Sequence, residues 1–448
     1  MPEPYDLIAI GSGVAAGSVI SRVAKAGWRT AVIDYRPFGG TCALRGCDPK
    51  KMMVSAEDVL SAFRHMRGHG VKGELSIDWP ELQRFKRSFT DPIPEKREKE
   101  FADLGTDTFH GKARFTGVEA IEVDGKPLGF RHALIASGAR PVTLGIPGEE
   151  LVMTSDEFLE IEELPRRILF IGGGYIAAEF SHLAARAGAN VTVIQRGPRL
   201  LPRFDPDLVE LLLPRFAELG ITIHTDMDVA SIARVGGGLR VEVQSEQGKQ
   251  SFEADAVIHA AGRSPDIGDL GLAAAGIAAE QGRLKLNDRL QSVTNPRIFA
   301  AGDAAGKGPP LTPVSAFDAK IVGANLLGTP ETANYLGIPS AVFTVPSIAS
   351  VGLTECEARE RKLDYRAQCR SVPQWFTARR LGETIYGHKV LVERGTDRIL
   401  GAHLVGPGAE DVINLFALAI QQGLTAGKLK DAIFAYPTGA SDVGAMLS

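Results

Sequence analysis

The sequence is short of cysteine, with four residues in a chain of 448. That is too few for a secreted disulfide scaffold of this length, so a closely spaced pair reads as catalytic or metal-binding rather than structural. Long apolar runs are missing as well. None reaches the roughly 18 residues a spanning helix needs, and the opening stretch carries Glu3 and Asp6 where a signal peptide would carry basic charge. The expected location is the cytoplasm. Neither sign of charge is in excess: a net charge of -4 sets up no field to draw in nucleic acid or an anionic membrane. Small molecules and protein thiols are the expected partners. With 44% hydrophobic and 23% charged residues, the chain lacks the bias of disorder and is long enough for two or three domains.

What is present is a weak internal repeat. An apolar strand, YDLIAI, runs into GSGVAAG, a helical stretch and a second apolar strand, TAVID, that ends at Asp34. The same grammar returns as RILFI, GGGYIAAEF, SHLAARAGA and VTVIQR, and Gln195 stands 23 residues after Gly172, as Asp34 does after Gly11. Two strand-loop-helix-strand units of one design predict an α/β protein with two Rossmann-like folds, each a parallel sheet backed by helices. Gly11 and Gly13, like Gly172 and Gly174, would let backbone amides approach a pyrophosphate at a helix N-terminus. Ala16 and Ala177 take the third, helix-packing position.

The second strands end differently. Asp34 offers a carboxylate to a ribose diol, which suits the adenosine half of FAD, whereas Gln195 offers none. Arg196, Arg199 and Arg203 follow it, cations suited to a ribose 2'-phosphate, so the second unit is expected to prefer NADPH to NADH. For Arg199 and Arg203 the alternative is a solvated loop. Further on, TNPRIFAAGDAAG sets a strand before Gly302 and Asp303, a carboxylate at a strand end where a ligand hydroxyl is readily held. After about residue 334, strand-like runs such as SAVFTV and KVLVER precede the helical AEDVINLFALAIQQGL, the texture of a separate α+β domain. The apolar face of that helix is either core or a subunit interface.

GGTCALRGCDPKKMM places Cys42 and Cys47 five apart, ahead of a helical segment. On the opening turn of a helix such thiols can bridge across the turn, and the helix N-terminus with Lys50 and Lys51 lowers a thiolate pKa. The alternative is two unrelated buried cysteines. No metal site is expected, since structural zinc wants four ligands and Cys356 and Cys369 lie far along the chain, where they read as plain structural thiols.

GGTCALRGCDPKK resembles the active-site signature of the FAD-dependent pyridine nucleotide-disulfide oxidoreductases. The likeness runs through GSGVAAG, IASGARP, IGGGYIAAEF, AAGRSPD, IFAAGDAAG, VPSIASVGLTE, ILGAHLVGPGAEDVI and the terminal YPTGASD. It implies an FAD-binding domain from residues 1–148 and 269–333, an NAD(P)H-binding domain over 149–268, and a dimerisation domain over 334–448. Cys47 would be the flavin-proximal thiol and Cys42 the interchange thiol. Lys50 and Glu179 would form an ion pair beside the flavin, and such a pair favours mutual charge only in good geometry. Tyr175 would cover the flavin until the nicotinamide arrives, or else be a packed loop aromatic. Gly40, Thr41, Ser137 and Gly138 would join the FAD site, and Ile176 and Gly262 the NADPH site. A homodimer is implied.

The pattern breaks near the C-terminus. Relatives carry a His with a Glu five residues later as an acid-base couple; here those positions are Tyr436 and Ser441, with Asp442 next, and no histidine follows His403. General acid-base help is typically worth about 10²–10⁴-fold, and a phenol is a poor base at neutral pH, so glutathione- or lipoamide-type turnover is in doubt. Tyr436 either donates a hydrogen bond to a thiolate or ligand, or fills the site. Leu44 replaces the Asn found between the cysteines of many relatives. The leading expectation is an enzyme that passes electrons from NADPH through FAD and Cys42–Cys47 to a disulfide or other thiol-reactive acceptor. The runner-up is mercuric reductase-like metal-ion reduction, which the terminal Tyr favours, although the second cysteine pair of that enzyme is missing. A diaphorase, oxidase or transhydrogenase acting directly from the flavin, and a redox sensor without turnover, are the other readings.

Overall fold

A computed structural model describes residues 3–448. The chain divides into two compact units: residues up to Lys50 with Arg84–Val142 and Arg263–Tyr335, and Lys51–Gln83 with Thr143–Gly262 and Leu336–Ser448.

In the first unit, β1 (Tyr5–Ile10), β2 (Thr30–Asp34), β3 (Asp107–His110) and the long β6 (Lys126–Ile135) lie in the order β3-β2-β1-β6, all parallel, with Ile298–Ala300 on the far side of β6. β4 (Ala113–Gly117) and β5 (Ala120–Val123) extend the sheet antiparallel from β6. The strand YDLIAI is apolar without alternation because both of its faces are covered. Ile8 and Ile10 pack on one side with Phe115, Ile121 and Leu270. Leu7 and Ala9 pack on the other with Val19, Ile20 and Val23 of α1 (Val14–Lys25) and with Ile321 and Val322. Full burial of each of the larger of these side chains stabilises by about 1.5–3 kcal/mol.

The second unit repeats the grammar. Its parallel sheet runs Thr222–His224, Asn190–Ile194, Arg167–Ile171, Ala256–His259, and an antiparallel three-stranded sheet covers residues 228–254. In the same unit a five-stranded antiparallel sheet is built from residues 340–405, and the helix Ala409–Gln422 packs on it. Val412, Ile413, Phe416 and Ala419 of that helix are core, while Leu418 faces solvent. Gly423, in the left-handed region at φ 64°, ends the helix.

Candidate active site

The two cysteines occupy different helices. Cys42 lies in the short α2 (Gly40–Arg45), and Cys47 opens α3 (Cys47–Met66). The expectation of both thiols on one opening turn is corrected here, because Gly46 breaks the helix between them: a Cβ there would stand 3.0 Å from the Thr41 carbonyl oxygen. Both cysteines are free thiols, joined by a hydrogen bond that acts oppositely on them. It raises the Cys42 pKa, with burial adding to the rise, and it lowers that of Cys47 to about 6. The Thr312 hydroxyl, at the start of the helix Thr312–Leu326, lies 3.3 Å from the Cys47 sulfur. It and the Lys50 ammonium both favour the Cys47 thiolate. The Lys51 Nζ sits 4.5 Å from the Phe343 ring centroid and 3.9 Å from Asp58. Thr312 was not legible as a site residue, since nothing in its local sequence ties it to a sulfur 265 positions away.

A cleft of about 160 Å³ opens at the carboxyl ends of β1 and β2, lined by Gly11, Asp34, Tyr35, Ser137, Arg140 and Asp266 among others. Gly11 has φ 101°, and a Cβ on it would stand 2.3 Å from the Ala136 carbonyl oxygen. Gly13 and Gly40 pack backbone on backbone, for a Cβ on Gly40 would lie 2.5 Å from the Gly13 Cα. Ala16 is fully buried in α1. Asp34 is already engaged: its Oδ2 accepts from the Ser12 amide at 2.8 Å and hydroxyl at 2.6 Å, and its Oδ1 from the Arg36 amide at 3.0 Å. The Ser137 hydroxyl donates to the Asp266 carbonyl at 2.7 Å, and Gly138 is left-handed at φ 73° with open space beside it. Gly302 donates its amide to the buried Asp318 at 2.9 Å, and burial raises the pKa of its neighbour Asp303. A glycine-walled cleft at the switch point of a parallel sheet, bordered by a carboxylate, fits the adenosine half of a dinucleotide.

In the second unit Gly172, at φ 103°, turns beneath the Ala260 carbonyl. Gln195 does there what Asp34 does in the first: its Oε1 accepts the Gly173 amide at 2.8 Å. Arg199 bonds its own loop, donating to the carbonyls of Phe204 and Pro202 at 2.8 and 2.7 Å. Arg196, Arg203 and Tyr175 are exposed; Gly262 has φ 113°, and a Cβ on it would meet nothing within 4 Å. The helix Tyr175–Arg186 buries Ile176, Glu179, His182 and Arg186. Glu179 accepts from the Phe343 amide at 2.8 Å, and Arg186 stands 3.3 Å from the fully buried Glu57.

Tyr436 is 79% exposed. Thr438 caps the turn Gly439–Asp442, its hydroxyl accepting from the Ser441 amide at 3.4 Å, and Asp442 accepts from the Tyr386 hydroxyl at 2.7 Å. That bond gives Asp442 a structural partner in its own domain. His403 is buried between Ser350 and the Leu353 carbonyl.

The family described as pyridine nucleotide-disulphide oxidoreductase matches residues 5–319, and its dimerisation domain matches residues 338–446. The chain belongs to this family and is an FAD-dependent oxidoreductase with a redox disulfide. Mercuric reductase of Staphylococcus aureus is 34% identical over 442 residues, 97% of this chain and 80% of that protein. Glutathione reductase of Burkholderia cepacia is 32% identical over 449 residues, 98% of this chain and 97% of that one. Among solved structures, the HOCl-induced flavoprotein disulfide reductase RclA from Escherichia coli superposes with a TM-score of 0.88 at 28% identity, covering 99% of both chains. Among the described residues, no helix is long and apolar enough to cross a membrane.

Proposed function

We propose that the chain is an NADPH-dependent, homodimeric, cytoplasmic reductase in which Cys47 is the flavin-proximal thiol and Cys42 the thiol that exchanges with a disulfide or other thiol-reactive acceptor. The observation that carries the reading is the inequality of the two sulfurs. Cys47, at a helix N-terminus with Lys50 and Thr312 beside it, holds the negative charge, and Cys42 holds the proton. When bound, FAD supplies a ring that takes hydride from the reduced nucleotide and passes an electron pair to the disulfide. Asp34, Ser137, Gly138, Gly302 and Asp303 would hold it, with Gly11, Gly13, Gly40 and Thr41 keeping the backbone close. Tyr175, Ile176, Glu179 and Gly262 would receive the nucleotide. The NADPH preference is supported by Gln195, which has no carboxylate to repel a 2'-phosphate, and by the exposed Arg196 and Arg203.

Reduction of a thiophilic metal ion is the second reading, supported by the exposed Tyr436 and by relatives named mercuric reductase. A solved relative is described as a Cu(II) complex. An anaerobic acceptor screen with NADPH, comparing low-molecular-weight disulfides, protein disulfides, Hg(II) and quinones, decides between these. The reading expects turnover that needs both cysteines, and a long-wavelength absorbance band on reduction that Cys42→Ser keeps and Cys47→Ser loses. Steady NADPH oxidation surviving loss of both cysteines would sink it.

A further inference from the structure

Asp48 is the acidic residue of the dithiol segment, and no role has been given to it. It is exposed in the opening turn of α3, and the Cys42 thiol donates to its Oδ1 at 3.9 Å, within the reach of a sulfur hydrogen bond. Among the groups bearing on the pair are Cys47, Asp48 and Lys50 from α3 and the neutral Thr312 from its own helix. Lys50 favours charge on Cys47 and Thr312 favours it on both sulfurs, whereas Asp48 opposes it on both. A carboxylate at this distance competes with the Cys47 sulfur for the single Cys42 proton and repels a thiolate on either sulfur, so it favours the neutral form of Cys42. Burial and the Cys47 bond push Cys42 in the same direction.

The proton and electron accounting shows where that charge acts. Starting from a Cys42 thiol and a Cys47 thiolate, Cys42 loses its proton to solvent and attacks one sulfur of an acceptor disulfide. The Cys42–S bond forms, the acceptor S–S bond breaks, and its electron pair leaves on the second acceptor sulfur, which takes up one proton. The Cys47 thiolate then attacks the Cys42 sulfur, forming the Cys42–Cys47 disulfide and releasing the first acceptor half, which takes a proton from solvent. Two thiols are made, and the dithiol is oxidised by two electrons. During the first attack, negative charge spreads over sulfurs that lie beside Asp48. Positive charge on the acceptor offsets this, and negative charge compounds it.

We propose that Asp48 is a specificity-determining residue of the interchange step, selecting acceptors that carry positive charge beside the reactive atom over anionic disulfides. The proposal rests on the dithiol reading above. Cystamine and a thiophilic metal cation share this chemistry, and separate turnover assays with cystamine and Hg(II) tell the two sources apart.

The direct probe is a pair of methanethiosulfonates, one cationic (2-trimethylammonioethyl) and one anionic (2-sulfonatoethyl). They are reacted with the reduced Cys47→Ser holoenzyme, and modification of Cys42 is followed by peptide mass. The cation-to-anion rate ratio is expected to fall about tenfold on adding Asp48→Asn and to hold with Asp48→Glu. It should also shrink at 1 M salt, where the Debye length is about 3 Å. In turnover, the kcat/KM ratio of cystamine to glutathione disulfide should fall by a similar factor in Asp48→Asn. A structural role alone would lower both rates together and leave the ratios in place, and unchanged ratios in both arms overturn the proposal. Retained flavin absorbance checks the fold. If turnover survives loss of both cysteines, the dithiol reading fails, yet the methanethiosulfonate ratio still judges Asp48. If turnover needs both cysteines and the ratios do not move, only the Asp48 inference falls.

Discussion

At the scale of single residues, the Cys47 sulfur is held as a thiolate by three neighbours, of which Thr312 can be removed without adding or deleting charge. Cys47, lowered to about 6, should be mostly thiolate at neutral pH and gain its proton as pH falls through that value. The long-wavelength band of the reduced enzyme should therefore fade with a midpoint near pH 6. A hydrogen bond to a charged group is worth about 1.5–3 kcal/mol, and solvent screening at this exposed sulfur cuts that to roughly one pKa unit. Thr312→Val should move the midpoint up by about that much, and a spectrophotometric pH titration that leaves it in place would remove Thr312 from the site. The same scale shows what the sequence hides. The offset of 23 residues that pairs Asp34 with Gln195 is plain to read. Their common task, holding the amide after the first glycine of each turn, is not, because an Asp and a Gln accept that bond equally well. Arg196 and Arg203 bear on nucleotide choice: Arg203→Ala should cost about tenfold in kcat/KM for NADPH while sparing NADH, as steady-state kinetics with both nucleotides would show.

Among the elements, the two glycine-turn units were legible because a strand buried on both faces is apolar throughout and a glycine turn into a helix is distinctive. The break at Gly46 was not, since a glycine between two cysteines fits a continuous helix as well as an interrupted one. Buried charge on helices was missed for a related reason. Glu57 on α3 and Arg186 on the helix Tyr175–Arg186 sit in amphipathic sequence where polar residues suggest a solvent face, yet they meet at 3.3 Å with both side chains almost wholly buried. Burial, only partly offset by Arg186, pushes the Glu57 carboxyl well above its ordinary range. Glu57→Gln keeps the shape and should cost under about 1 kcal/mol. Glu57→Ala leaves the buried Arg186 guanidinium with the Val345 carbonyl but no carboxylate and should cost about 3 kcal/mol. Urea unfolding of the two variants measures the difference, and equal losses would mean the pair is immaterial.

For the whole molecule, pH dependence of stability is a sum over groups whose proton affinity changes on folding, and here two large members oppose each other. Burial raises Asp318 from 3.8 to about 6 although it accepts from Gly302 and Tyr335. Between those values the folded chain binds the extra proton, so this contribution is present at low pH and is lost as pH rises through about 6. Burial lowers His388, stacked on Trp375, from 6.5 to about 4. In that interval the unfolded chain binds the extra proton, so this contribution is present above 6.5 and is lost as pH falls toward 4. Each shift corresponds to about 3 kcal/mol, and the two nearly cancel across the shared interval. Glu57 adds to the first sign, and His182 and His403 to the second. Removing one member should therefore expose the other. Asp318→Asn, whose amide still meets Gly302 and Tyr335, should be more sharply destabilised by acid than the parent between pH 6.5 and 4.5. His388→Phe, which preserves the stack on Trp375, should instead gain stability relative to the parent over the same fall in pH. Urea midpoints of parent and variants at pH 4.5, 5.5 and 6.5 give the two differences, and slopes of the same sign would contradict the assignment of either group.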